Sequence, residues 1–182
     1  YVTRYVNNDE TQIHVDNTYR QQELYFSTSN VYEILPKWSV SMSYDFKWNK
    51  LNANMVDFAF PHRYSNFISL ATALTLSRIQ MQASVVEQVV KDHVQFGASS
   101  PSRHTLTPAF FVNVYPFDDK LLSVRAFAKK SFRMPTFNDL YYADMGNSKL
   151  NPESAMQYDL GFVLDKEWRQ CVVEHFRLQV DG

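Results

Sequence analysis

The chain holds five histidines, a single cysteine and 19 acidic side chains, the raw material for catalysis or metal binding. Their spacing assembles no machinery. There is no Gly-x-Ser-x-Gly turn to lift a nucleophile, no His-Glu-x-x-His pair and no glycine-rich phosphate loop, and only 4 glycines are present to build one. Cys171 stands alone, which excludes an internal disulfide or a multi-cysteine zinc site. In a strand-like stretch it reads as a small buried hydrophobe. His14, His62, His93 and His104 fall in segments that read as long loops. Clustered loop histidines can hold haem or a metal, but polar loops carry histidine routinely, so neither a metal site nor a cofactor is expected. The net charge of -1 gives no basic face for nucleic acid. The chain does not read as an enzyme.

A second kind of chemistry is better represented. Aromatic residues make up 15% of the chain, with 11 Tyr and 14 Phe. Phe58, Phe60, Tyr141 and Tyr142, with His62, His93 and His104, are the most contact-capable side chains of the loop segments 53–64, 91–104 and 132–154. Flat aromatic surface of this kind suits a bulky, partly apolar ligand.

The elements that must position these residues are strands. Along 39–48, Val40, Met42, Tyr44, Phe46 and Trp48 alternate with Ser39, Ser41, Ser43, Asp45 and Lys47. Period two puts one set on each face of a strand. Residues 67–77 repeat the pattern, and after Ser77-Arg78 the parity flips, as a very short hairpin requires. Similar runs follow at 107–114, 122–129, 156–164 and 176–180, after longer or less regular ones near 1–7 and 19–34. The valines of 85–94 would also line a helix face, although so many β-branched residues favour strand.

Connectors alternate short and long. The short ones fall at 35–38, 77–78, 117–120 and 165–168, the long ones near 8–18, 53–64, 91–104 and 132–154. In an up-and-down antiparallel sheet, alternate connectors emerge on the same side. The expected fold is therefore all-β: one antiparallel up-and-down sheet of roughly nine strands, with no helix beyond about two turns, laid out like a section of an outer-membrane barrel. A soluble β-sandwich, serving as a binding or adhesion module, shares the alternation. Strands near ten residues and the regular asymmetry of the connectors favour the barrel. The charges Asp45, Lys47, Arg125, Lys129, Asp159 and Arg177 would then face the lumen.

One region is specific. Phe132-Arg133-Met134-Pro135-Thr136-Phe137-Asn138-Asp139-Leu140-Tyr141 is followed by Gly146-Asn147-Ser148-Lys149-Leu150-Asn151-Pro152-Glu153, then by Tyr158-Asp159-Leu160-Gly161. These runs closely resemble the signature of TonB-dependent outer-membrane receptors, with Asp139 and Asp159 where Glu is common. The specific likeness covers roughly residues 105–164. As loop architecture, Met134 and Asn151 precede prolines and are biased to extended geometry, which brackets the long loop. Phe132, Phe137, Tyr141 and Tyr142 would anchor near the membrane boundary, and Asn147 and Glu153 would satisfy loose backbone N–H groups.

The resemblance implies a plugged barrel of about 22 strands, powered by the TonB complex through a plug domain and set in outer-membrane lipid. It also implies uptake of a scarce nutrient, commonly a ferric siderophore, cobalamin or haem. Residues 1–182 are then expected to be part of the barrel domain, without the plug or the remaining strands. Haem receptors of this kind usually carry a histidine between the two motif runs. Residues 134–150 have none, so an iron chelate or cobalamin is the expected cargo.

Overall fold

The computed structural model describes residues 1–7, 15–142, 146–167 and 175–182. They form nine strands: β1 (Val2–Asn7), β2 (Val15–Leu35), β3 (Trp38–Ala53), β4 (His62–Thr75), β5 (Ile79–His93), β6 (Arg103–Val114), β7 (Leu122–Arg133), β8 (Glu153–Glu167) and β9 (His175–Asp181). The one helix among the described residues, α1, spans Phe137–Tyr141. All nine strands join a single sheet in chain order, each antiparallel to the next. The valine-rich 85–94 segment is strand through His93. Its β-branched side chains fit the pleated surface better than a helix, where their χ1 freedom is lost.

The register fixes two faces. Met42 pairs with Leu70, which pairs with Val85, which pairs with Pro108, while Phe110, Ala128 and Tyr158 continue the face. On the β8 side Leu160, Phe162 and Val180 complete it. This face is apolar and open, with Leu160 at 65% exposure, Leu24 at 59% and Leu70 at 51%. An apolar surface spread over neighbouring strands is rare on a soluble monomer and suits contact with hydrocarbon. The opposite face carries all six charges expected there, and several are paired. Lys47 Nζ lies 2.7 Å from Glu23, Tyr25 Oη donates to Asp45 at 2.5 Å, and Arg125 meets Asp181.

The connectors separate by length. Pro36-Lys37 joins β2 to β3, residues 76–78 join β4 to β5, and residues 115–121 join β6 to β7, all at one end. Arg78 and Asp118 form a two-pronged pair at 2.7 and 2.5 Å that ties neighbouring short turns together. At the other end lie 54–61, 94–102 and the described residues of the connector after β7, 134–142 and 146–152.

Two expectations are corrected. Of the tight turn expected at 165–168, the described residues Asp165, Lys166 and Glu167 instead continue β8 and pair with Arg177, Phe176 and His175. The alternation simply runs on through these polar residues. Likewise His62, His93 and His104 are in strands rather than loops, because the ladders extend beyond the apolar rows. His14, Trp168 and Cys171 lie outside the described residues.

Ile68 and Ser69 are adjacent on β4 but belong to opposite faces. In the full-length protein Ile68→Arg should cost on the order of 2–4 kcal/mol and reduce the folded, heat-modifiable band on cold gels. Ser69→Arg should leave that band near wild-type intensity. Equal tolerance of both changes would contradict the assignment of faces.

Candidate functional site

The described residues of the motif, 134–142 and 146–152, form a strap that leaves β7, makes one helical turn and leads back into β8. Thr136 caps α1. Its backbone N–H donates to Asp139 Oδ2 at 2.8 Å, while the Asp139 N–H donates to the Thr136 hydroxyl at 3.3 Å. This reciprocal capping box satisfies two donors that a short helix would otherwise leave free. Those bonds from Thr136 hold the Asp139 carboxyl below its ordinary range. Gly146 then closes the strap. Its N–H donates to the Tyr142 carbonyl at 2.8 Å, and an added Cβ would lie 2.6 Å from the Tyr142 backbone nitrogen. Only glycine allows that approach. Asn147 follows, donating from its N–H to the Asp139 carbonyl and accepting from Lys149 N–H at 3.0 Å.

The strap docks on the polar face of the sheet. Glu23, Asn49, Arg63 and Asp92 are successive cross-strand partners on β2 to β5. Arg63 clasps Asp92 through Nε and Nη2 at 2.7 and 2.8 Å, with the Asp92 side chain 1% exposed. The strap completes this pair. Arg63 Nη1 donates to the Pro135 carbonyl at 2.7 Å, and its guanidinium sits 5.0 Å from the centre of the Phe137 ring. Tyr141 Oη donates to Asp92 at 3.0 Å and accepts from Ser100 N–H at 2.9 Å. Burial, with the Asp92 charge beside it, pushes the Tyr141 phenol up to about 12. Tyr19, Leu51, Phe58, Phe137, Leu140 and Tyr141 form the buried cluster over which the strap closes.

This arrangement joins the loop after β7 to strands far back in the sequence, at the end bearing the long connectors. The model of the TonB dependent receptor-like, beta-barrel family matches residues 1–181. The chain belongs to this family. It is a section of an outer-membrane receptor barrel, which sets aside the soluble-module alternative. The chain is also similar to the vitamin B12 transporter BtuB of Photobacterium profundum, with 49% identity over 39 residues. That alignment covers 21% of the chain and 6% of the relative's length.

Within this barrel wall the motif residues act first as packing. Phe137 and Tyr141 are buried in the strap cluster, and Tyr142 stacks on Tyr19 at 4.7 Å. These three therefore do not anchor at the lipid boundary, because docking on Arg63 and Asp92 turns them inward. Phe132 alone of the four is on the apolar face, through its place in β7. Phe58 is buried at 3% exposure, and Phe60 packs edge-on against it at 5.3 Å. Phe60 holds φ at +43° just before the buried Pro61, a strained backbone fixed by these contacts. His62 and His93 face each other across β4 and β5 on the apolar side, away from the strap, and His104 is on that side too.

Two clefts flank the strap. One, about 340 Å³, is lined by Arg133, Pro135, Asp139, Leu150, Asn151 and Glu153. There Arg133 and Glu153 face each other at 3.8 Å, and Arg103 Nη2 donates to Asn151 at 3.0 Å. The other, about 170 Å³, places Asn138 and Tyr142 opposite Tyr1, Thr3 and Gln21. Arg63 and Asp92 were not singled out by the sequence. Counting outward from the Ser77-Arg78 turn sets them opposite one another, which was the available signal.

Asp92→Ala should leave Arg63 buried without its partner and cost about 3–5 kcal/mol. Limited proteolysis of the full-length protein should then cleave within 134–152 under conditions where the wild type resists; unchanged resistance would contradict the docking role.

Tyr141 supplies a pH test. Its folded-state pKa is raised above the ordinary value of 10.0, so its contribution is complete below pH 10 and is lost as pH rises toward about 12. Protease sensitivity of the strap should rise across that window. Tyr141→Phe should remove that component of the pH dependence.

Proposed function

We propose that this chain forms part of the barrel wall of a TonB-dependent transporter whose cargo is cobalamin or an iron chelate. The remaining strands, and a plug domain that contacts the TonB complex, complete the working receptor. Membership of the receptor barrel family carries the reading. The stretch similar to a vitamin B12 transporter supports cobalamin within it. Haem ranks behind both. The strap has no histidine among 134–142 and 146–152, and His62, His93 and His104 belong to the lipid-side face.

In this reading the strap forms part of the mouth. Arg133, Pro135, Leu150 and Glu153 present one cleft beside it, while Asn138 and Tyr142 present the other. Each is small for a bulky chelate, so cargo contact is shared with the plug and neighbouring loops. Phe60 and Tyr142, only partly buried at the edge of the cluster, are the aromatic side chains best placed to join it. Phe58 and Tyr141 act by holding the strap in place.

Deleting the parent gene, in a strain lacking redundant receptors, should abolish growth on limiting cobalamin or on limiting chelated iron. Re-expression of the full-length gene should restore it. Normal growth of the deletion strain on both would overturn the proposed cargo.

A further inference from the structure

The apolar face changes character toward the long-loop end, and it does so in layers. On β3, β4 and β5 the rows Tyr44–Ile68–Glu87 and Phe46–Asn66–Val89 give way to Trp48–Tyr64–Lys91, then to Lys50–His62–His93. The final row is wholly basic in residue type, and Lys91 lies in the row beneath it. Directly paired residues in an antiparallel sheet have Cα atoms roughly 4.5–5.5 Å apart, so these side chains form one contiguous patch. The two rings below it are in contact with it: Trp48 lies 5.9 Å from His62 and Tyr64 lies 6.1 Å from His93, centre to centre. The one acidic side chain in these four rows is Glu87, and His104 Nε2 engages it at 2.5 Å. Among the described residues neither Lys50 nor Lys91 is in an ion pair.

The depth of the patch points to its partner. The apolar stretch of β4 centres near Leu70, flanked by Ile68 and Leu74 on the same face. With a rise of about 3.3 Å per residue and a strand tilt of about 40°, Tyr64 lies roughly 15 Å from that centre. His62 lies roughly 20 Å from it by the same arithmetic. These are the half-thicknesses of a hydrocarbon core and of a bilayer including its headgroups, about 15 and 20–22 Å. The rings therefore meet the hydrocarbon boundary and the basic row meets the headgroups. The long loops mark this end as extracellular, so the leaflet concerned is the outer one.

We propose that Lys50, His62, Lys91 and His93 form a binding site for the phosphate of an outer-leaflet glycolipid headgroup. The two ammonium groups supply charge, the imidazoles supply N–H donors, and Trp48 and Tyr64 pack against the lipid below. A free anion would gain nothing from the layered rings. A lipid phosphate is held at this height by its own acyl chains. The proposal rests on the outer-membrane placement and not on the identity of the cargo.

The test uses the full-length receptor in detergent, titrated with bis-phosphorylated lipid A, with the same lipid dephosphorylated, and with inorganic phosphate. Lys50→Gln with Lys91→Gln should weaken binding of the phosphorylated lipid about 25-fold, at roughly fivefold per cation. Lys129→Gln, which removes a charge from the opposite face, should change it less than about twofold, since it lies beyond the reach of the headgroup. The dephosphorylated lipid should bind the wild type about as weakly as the phosphorylated lipid binds the double variant. Inorganic phosphate should not displace bound lipid. Restoring charge with Lys50→Arg and Lys91→Arg should restore affinity. If the double variant does not give a heat-modifiable band, Lys91→Gln alone, at an exposed position, should still show the fivefold loss. Wild-type affinity in the glutamine variants would overturn the site, as would equal binding of the dephosphorylated lipid. Full displacement by inorganic phosphate would replace the lipid with a free anion and overturn the lipid assignment. Growth on the cargo should be unaffected by these variants, which separates failure of this site from failure of the transport reading.

Discussion

Hydrocarbon offers no partner to a backbone N–H or C=O, so a chain that crosses it as strands must pair every one of them with a neighbouring strand. Most of this chain's structure follows from that requirement. Consecutive strands must be antiparallel and adjacent, because any crossover would leave peptide groups bare in lipid. The register must then be held over the whole width, since a slip of one residue exchanges the two faces. Here a slip would send Asp45, Lys47 and Arg125 into the membrane and Met42, Phe46 and Val124 into the lumen. The short turns help fix the register: Pro36-Lys37 and Ser77-Arg78 leave little freedom in where the next strand begins.

At the loop end the same sheet has to solve a different problem. Water is available there, so backbone pairing no longer dictates where a loop goes. The strap is held by the Arg63–Asp92 pair instead. Each strap contact uses a separate feature of that pair: a guanidinium N–H for the Pro135 carbonyl, the cationic face for Phe137, and a carboxylate oxygen for Tyr141. An apolar patch could bury similar area but would accept the strap in several positions. A planar fork and a carboxylate accept it in one.

Much of the fold was legible because period two is a local signal. The run from Val40 to Trp48 declares its faces without knowledge of its partners, and the parity flip at Ser77-Arg78 declares the hairpin. Strand ends were less legible. His62, His93 and His104 look like loop residues because they are polar, yet the ladder continues past the membrane boundary, where polar residues are what a strand should carry. Asp165 to Glu167 misled for the same reason. That the motif is a long loop was legible from Pro135 and Pro152, which bracket it. Its landing place was not, because Arg63 and Asp92 lie 72 and 49 residues from their contacts at Pro135 and Tyr141. No periodicity along the chain encodes a separation of that kind.

The two faces near the loop end also explain why aromatic residues serve two purposes in one chain. Trp48 and Tyr64 share strands with Asn49 and Arg63, their immediate neighbours, yet alternation sends the rings toward lipid and the polar groups under the strap. A change at either position is therefore read on one side of the wall only. This separation lets the lumen side be specialised for docking the strap while the lipid side keeps its layers of apolar, aromatic and basic residues. The single connection between them is the backbone ladder, and the ladder is indifferent to which side chain stands at each position. A barrel strand can thus carry two unrelated sets of instructions, interleaved residue by residue, provided that the register never slips.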